Sequence, residues 1–271
     1  MTSTVDDAEQ AARAAYDSRP LEVLARLGLA ARGLVWLVLG LLAFSLARGV
    51  AADADQDGAF RALAHTPVGG PLLATLALGF LGYATWLLLS AAVGHRAETG
   101  ATRLRHRAEG LVKGIFYLAL CAGTVRFLLR GSGTGDVRSR TAQVLAHPGG
   151  RTAVALVGLV VVGVGLYMIA KAVTRRHADC LEHYRVPPRL RRPAVFVGAV
   201  GYLGRGLVVA LVGAFLLRAA VLADARQAKG LDAALETVAQ QPYGQVLLAS
   251  AATGLLAFAL WSFFEAAYRD L

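Results

Sequence analysis

The chain has 271 residues, of which 56% are apolar and only 17% are charged, and its mean hydropathy is +0.53. Soluble domains carry about 25% charged residues and about 45–50% apolar ones with glycine counted, whereas here 30 glycines come on top of the apolar fraction. This balance excludes a disordered chain and most soluble enzymes, and it favours several membrane-spanning helices. The net charge of +10 fits basic loops beside anionic lipid headgroups. We expect no nucleic-acid partner, because no recognisable binding module accompanies the charge.

Residues 1–20 are polar and rich in acidic side chains. No basic segment precedes an apolar core there, so we predict a cytoplasmic tail and not a signal peptide. Six apolar segments follow, each long enough to cross about 30 Å of hydrocarbon at about 1.5 Å per residue. They are residues 27–47, 68–92, 108–125, 152–170, 194–217 and 243–264. Short amphipathic segments before the second, fourth and sixth spans predict interfacial helices.

A threefold internal repeat organises these segments. Each odd-numbered span contains a basic residue followed by glycine, a proline lies 35, 35 and 37 residues later, and an aromatic residue lies 19 residues beyond each proline. The three sets are Arg32-Gly33, Pro67 and Trp86; Lys113-Gly114, Pro148 and Tyr167; and Arg205-Gly206, Pro242 and Trp261. Two-helix units repeated in one direction keep one membrane orientation. We therefore predict an all-α polytopic membrane protein with six transmembrane helices, arranged as three parallel two-helix repeats around a pseudo-threefold axis.

The repeat also predicts the division of the chain. Repeat 1 is placed at 21–92, repeat 2 at 103–172, a basic cytoplasmic linker at 173–193 and repeat 3 at 194–268. Of the 28 Lys and Arg residues, 17 fall on the side of the N-terminal tail and 10 on the opposite side. The positive-inside rule therefore predicts cytoplasmic N and C termini, although the outer loop 126–151 is a poor fit because it carries five arginines.

Three basic residues, Arg32, Lys113 and Arg205, occupy the same repeat position within or near the edge of an apolar span. A central arginine costs about 2.5–3.5 kcal/mol on insertion scales, and a charge inside the membrane suggests a functional role. These residues are therefore a candidate intramembrane cation ring that could bind or conduct a small anion. The alternative is that each side chain reaches lipid phosphates or pairs with a carboxylate, for which Glu265 is the candidate counter-ion.

Other patterns point to packing and not to chemistry. The glycine clusters in the spans favour close helix approach, because no strand precedes them as a dinucleotide loop requires. His177, Cys180 and His183 fit no standard zinc spacing, so no metal site is expected. No catalytic constellation and no cofactor motif is recognised. Mid-span acids are absent, which disfavours a proton-coupled pump and an intramembrane protease.

The register of RGLVW, KGIFY and RGLVV, each with a downstream proline and an aromatic-rich second helix, resembles a known group. It is similar to a bacterial integral-membrane family described only as a domain of unknown function, built from three tandem two-helix repeats. The resemblance covers about residues 21 to 268 and implies a six-span protein of the cytoplasmic membrane. It implies no activity, cofactor or substrate. The middle repeat departs most, with Lys113 in place of arginine and Tyr167 in place of tryptophan.

Two functions remain open from the sequence. The first is a non-enzymatic membrane protein with a structural role that organises lipids or partners. Its basic loops would contact anionic inner-leaflet headgroups, while the sequence names no protein partner. The alternative is a small-solute or anion channel or transporter that uses the cation ring, one residue per repeat.

Overall fold

The computed structural model describes residues 19–49, 56–67, 69–93, 101–130, 137–176, 178, 186–229 and 231–269. Nearly all of the predicted tail 1–20, and much of the linker 173–193, lie outside the described residues. Within the described residues the chain is helical. The long helices are α1 (Arg19–Ala47), α3 (Gly69–Val93), α4 (Ala101–Arg130), α6 (Gly150–Val173), α7 (Pro188–Leu222) and α9 (Gly244–Tyr268); the short ones are α2 (Gln56–Ala64), α5 (Val137–Leu145) and α8 (Leu231–Ala239), and a 3-10 turn covers Ala225–Gln227.

The six long helices are apolar enough and long enough to cross a membrane. The prediction of an all-α, multi-pass membrane protein is thereby confirmed. Each repeat consists of a first long helix, a short helix and a second long helix. The first helices are α1, α4 and α7, and the second helices are α3, α6 and α9. We call residues of different repeats equivalent when they lie the same number of residues along the chain from the basic residue, for a first helix, or from the proline, for a second helix.

The same turn leads into the second helix of every repeat. The helix begins two residues after the proline, always at a glycine whose N–H donates to the carbonyl of the residue before the proline. These glycines are Gly69, Gly150 and Gly244. A Cβ at any of them would collide with a carbonyl oxygen of the short helix. The turn therefore needs glycine at this position, which makes Pro-x-Gly a second signature of the repeat.

A glycine contact also recurs between neighbouring repeats. The glycine after each basic residue packs against the second helix of another repeat, at the residue 21 positions beyond the proline of that repeat. The pairs are Gly33 with Phe263, Gly114 with Leu88 and Gly206 with Ile169, where a Cβ on the glycine would lie 2.9, 2.7 and 2.9 Å from the partner. The predicted packing role of these glycines is thus visible at three equivalent crossings, where small residues let helices approach closely.

We name the end of the bundle where α1 begins and α9 ends the terminal end. There, arginine side chains donate hydrogen bonds to carbonyls at the C-termini of neighbouring helices. Arg26 Nη1 donates to the carbonyl of Ala267 at 3.2 Å, and Arg107 Nη2 donates to the carbonyl of Ala92 at 2.9 Å. Arg26 and Arg107 occupy equivalent positions on their first helices, and Ala267 and Ala92 occupy equivalent positions on their second helices. A cation at a helix C-terminus satisfies free carbonyls and complements the helix dipole.

The short helices close the opposite, connector end. The residue seven positions before each proline is buried in all three repeats: Phe60, Thr141 and Leu235. Phe60 packs against Phe127 of α4, with ring centroids 5.6 Å apart. The predicted amphipathic segments are therefore helices whose apolar side docks onto the bundle.

The middle repeat is open. Among the described residues, α4 packs on α3, α3 on α1, α1 on α9, α9 on α7 and α7 on α6, but α4 and α6 share no extensive contact. In repeats 1 and 3 the two long helices meet at glycine crossings, Gly28 with Gly79 and Gly204 with Gly254. A threefold arrangement requires a third such interface, so the pseudo-threefold axis stays a prediction.

Two equivalent glycines test this opening. A Cβ at Gly82 in repeat 1 would collide with Leu24, whereas one at Gly163 in repeat 2 has nothing within 4 Å. We expect Gly82→Val to lower the free energy of unfolding by about 1–3 kcal/mol, the usual cost of overpacking. Gly163→Val should change it by less than about 0.5 kcal/mol. Thermal unfolding of both purified variants in one detergent measures the difference, and equal losses would show that α4 and α6 pack closely.

Candidate functional site

A buried ion pair joins the first and last long helices near the terminal end. Arg32 Nη2 on α1 donates to Glu265 Oε2 on α9, and the two side chains are 12% and 8% exposed. Arg32 Nε donates to Ser262 Oγ at 3.1 Å, and Arg32 Nη1 donates to the Tyr117 hydroxyl on α4 at 3.4 Å. All three guanidinium nitrogens are therefore used, and the arginine links three helices.

Arg205 is held differently. It lies midway along α7, with its guanidinium carbon 4.5 Å from the centroid of the Trp36 ring and 4.4 Å from that of the Phe258 ring. Its Nε is buried and has no hydrogen-bond partner among the described residues. Desolvated cation–π contacts are worth about 2 kcal/mol each, so two rings offset an insertion cost of about 2.5–3.5 kcal/mol. The two rings supply no hydrogen-bond acceptor to the Arg205 Nε.

Both guanidinium groups share one aromatic ring. The Arg32 guanidinium carbon lies 5.5 Å from the centroid of Phe258, the ring that also contacts Arg205. Lys171 on α6 places its Nζ 5.0 Å from the centroid of the Tyr202 ring, one turn from Arg205 on α7. We name Arg32, Arg205, Lys171 and Glu265 the cationic cluster. It combines three positive charges with one carboxylate.

The repeat register explains this excess of positive charge. The residue 23 positions beyond each proline is Ser90, Lys171 or Glu265. Each of these residues lies on a second helix that packs against the first helix of another repeat. Glu265 on α9 therefore meets Arg32 on α1, and Lys171 on α6 occupies the equivalent place beside α7. Arg205 thus has a lysine where Arg32 has its carboxylate.

The structure does not bring Lys113 into the cluster. Its side chain is 57% exposed and its Nζ pairs with Glu109 Oε2 of the same helix at 3.3 Å. The equivalent counter-ion position on α3 is Ser90, which offers no charge to hold a lysine inside the bundle. Of the predicted cation ring, Arg32 and Arg205 lie together beside Glu265, while Lys113 lies apart.

Several members of the site were not singled out from the sequence. The sequence does not assign Trp36, Tyr117 or Phe258 to a site. Comparison of equivalent positions does indicate Lys171, because it stands where repeat 3 has Glu265. Within the described residues no group of three or more His, Cys, Asp and Glu side chains could hold a metal ion. His177, Cys180 and His183 lie outside the described residues.

Arg32 and Lys113 occupy equivalent positions, but their ion pairs with Glu265 and Glu109 should contribute differently to the free energy of unfolding. Glu265→Gln leaves the Arg32 charge buried without its carboxylate, so we expect the free energy of unfolding to fall by about 3–5 kcal/mol. Glu109→Gln removes the carboxylate from the exposed Lys113 pair and should cost less than about 1 kcal/mol. Thermal unfolding in detergent measures both. Equally small losses would contradict the buried pair, and Arg32→Gln combined with Glu265→Gln should recover part of the stability.

Three segments of the chain, residues 27–94, 109–175 and 200–269, match one family, described as Domain of Unknown Function (DUF1206). The chain is also similar to Uncharacterized protein YxxB of Bacillus subtilis (strain 168), at 28% identity over 249 residues that cover 91% of this chain and 90% of that relative. No solved structure matches the chain. The three matches confirm the resemblance inferred from the repeat, and the chain belongs to the DUF1206 family, whose domain it carries three times in tandem.

Proposed function

We propose that this protein binds the phosphate of anionic membrane lipids at the cationic cluster and has a non-enzymatic, lipid-organising role. One observation carries the proposal. Arg205 lies among aromatic rings with its Nε buried and without a hydrogen-bond partner among the described residues. Because a buried donor left unpaired costs about 1–3 kcal/mol, an anionic acceptor at this place would stabilise the protein.

The chemistry of the cluster favours a phosphate group. A guanidinium presents a rigid fork of donors that matches phosphate oxygens, and stacking on aromatic rings orients that fork. Arg32 already has Glu265 as its acceptor, whereas the Nε of Arg205, the other arginine of the cluster, has no acceptor among the described residues. Lys171 adds a second positive charge from α6.

The anion-channel alternative has less support. The cation ring that it requires includes Lys113, which is exposed and paired with Glu109. A path across the membrane would also have to pass the connector end, where Phe60 and Leu235 are buried. Lipid binding needs access from one leaflet only, which suits a cluster in the terminal half of the bundle.

We place the protein in the bacterial cytoplasmic membrane with both termini in the cytoplasm. The six apolar helices support a membrane location, the similar protein of Bacillus subtilis supports a bacterial one, and the excess of basic residues on the N-terminal side supports this orientation. The terminal end would then face the cytoplasmic leaflet, where anionic headgroups attract basic side chains.

Arg205→Gln tests the proposal. The variant removes the positive charge, so we expect at least about a tenfold loss of retained phosphatidylglycerol, which corresponds to about 1.4 kcal/mol. Native mass spectrometry of protein extracted from vesicles of phosphatidylglycerol and phosphatidylcholine measures the retained lipid. Lys113→Gln is the matched control, because it removes one charge at an equivalent position outside the cluster. Equal retention by both variants would contradict the proposal.

A second measurement separates lipid binding from transport. Anion efflux from liposomes is compared between the wild-type protein and folded Arg205→Gln. The lipid-binding function predicts no efflux from either protein. Efflux that the substitution abolishes would make the channel alternative the better one.

A further inference from the structure

The second helix of the middle repeat exposes a face that the other two repeats cover. Val164 is 48% exposed, whereas the equivalent residues Tyr83 and Phe258 are 3% and 1% exposed. Tyr167 is 49% exposed, whereas Trp86 and Trp261 are 6% and 1% exposed. In repeats 1 and 3 this face packs against the first helix of the same repeat. We name Val160, Gly163, Val164 and Tyr167 the uncovered face of α6.

The first helix of the middle repeat shows the matching difference. Phe116 on α4 is 48% exposed, while the equivalent Val35 and Val208 are 8% and 5% exposed. Val112 is 67% exposed, while Ala31 is 6% exposed and Gly204 is buried. Both helices of repeat 2 therefore leave open the faces by which the long helices of repeats 1 and 3 contact each other.

Substitution of the crossing glycines accounts for this opening. Gly79 and Gly254 stand at the crossings of repeats 1 and 3, and the equivalent residue in repeat 2 is Val160. On the first helices the equivalents of Glu109 are Gly28 and Gly201, which pack closely against Tyr83 and Phe258. A valine and a glutamate cannot support the close backbone approach that glycine allows. Val160 and Glu109 therefore explain why the two long helices of repeat 2 stay apart.

The uncovered face runs towards the cationic cluster. Residues 160, 164, 167 and 171 lie on one side of α6, since they are spaced by four, three and four positions. The apolar stripe therefore ends at Lys171, whose Nζ lies over Tyr202, one turn from Arg205. An apolar stripe that ends in positive charge near one end of a membrane bundle complements an amphiphile with an anionic head.

We propose that the middle repeat is the lateral binding site of one anionic phospholipid, with its acyl chain on the uncovered face of α6 and its phosphate at Lys171 and Arg205. This inference rests on the proposed function and adds the position of the lipid and its route of access. The lipid reaches the cluster from the bilayer between α4 and α6. The headgroup supplies the acceptor for Arg205, and the acyl chain covers the apolar face that α4 leaves open.

A bulky substitution on the uncovered face tests the inference. Val164→Trp fills the place of the acyl chain and leaves the cationic residues unchanged, so we expect about a tenfold loss of retained phosphatidylglycerol. Leu156→Trp is the matched control on the same helix, because Leu156 is 59% exposed and its equivalents, Thr75 and Ser250, are exposed as well. This control should retain the lipid like the wild-type protein.

The outcomes separate the two proposals. If Arg205→Gln loses the lipid but Val164→Trp keeps it, the lateral site is overturned and the lipid-binding function stands. If Arg205→Gln keeps the lipid, the proposed function itself fails. If the wild-type protein and Leu156→Trp are dimers while Val164→Trp is a monomer with unchanged lipid, the face is an interface between copies and the inference is overturned.

A crosslinking measurement does not depend on the stability of Val164→Trp. Wild-type protein in phosphatidylcholine vesicles is irradiated with a small amount of phosphatidylglycerol that carries a diazirine in its acyl chain. We expect the labelled peptides to come from α4 and α6, and unlabelled phosphatidylglycerol to compete while phosphatidylcholine does not. Labelling spread evenly over the six long helices would overturn the lateral site.

Discussion

The arrangement of charge inside this bundle depends on a single carboxylate. Three equivalent positions face three equivalent basic residues, and only Glu265 among Ser90, Lys171 and Glu265 is acidic. Its ion pair with Arg32 fastens α9 to α1 and satisfies one arginine completely. Neither of the other two equivalent positions carries an acid. Arg205 is held by rings instead of a carboxylate, and the proposed anion site would use the positive charge in excess.

Contacts shared by the three repeats form the helix bundle, and differences between the repeats produce the opening of the middle repeat and the cationic cluster. The Pro-x-Gly turn, the glycine after each basic residue and the buried position seven residues before each proline recur in all three units. Where the units differ, a distinct feature appears. Glu109 and Val160 replace glycines and open the middle repeat, while Lys171 stands beside α7 where repeat 3 has Glu265. Three units identical to repeat 3 would match each arginine with one carboxylate and would keep glycine at every crossing.

Much of the fold was predictable, because its signals are local in the sequence. Apolar runs of sufficient length indicated the six spans, and the spacing of basic–glycine pairs, prolines and aromatic residues indicated the repeat. The site was less accessible, because it depends on which residues of different helices meet. Hydrophobic length cannot show that Lys113 pairs within α4, nor that the ring of Phe258 contacts two arginines. The prediction of Glu265 as a counter-ion was easier, since an acid at the end of a span has few partners.

The ion pair between the ends of the chain has a consequence for biogenesis. Arg32 and Glu265 are 233 residues apart, and Arg26 also reaches carbonyls of the last helix. A chain that is synthesised from its N-terminus inserts α1 long before α9 exists. Until then the arginine side chains of α1 have no partner from α9 and must draw on lipid phosphates or water near the membrane surface. The contacts of Arg26 and Arg32 with α9 therefore form only after the last helix has been inserted. A chain whose synthesis stops before α9 leaves these two arginines without their partners on that helix.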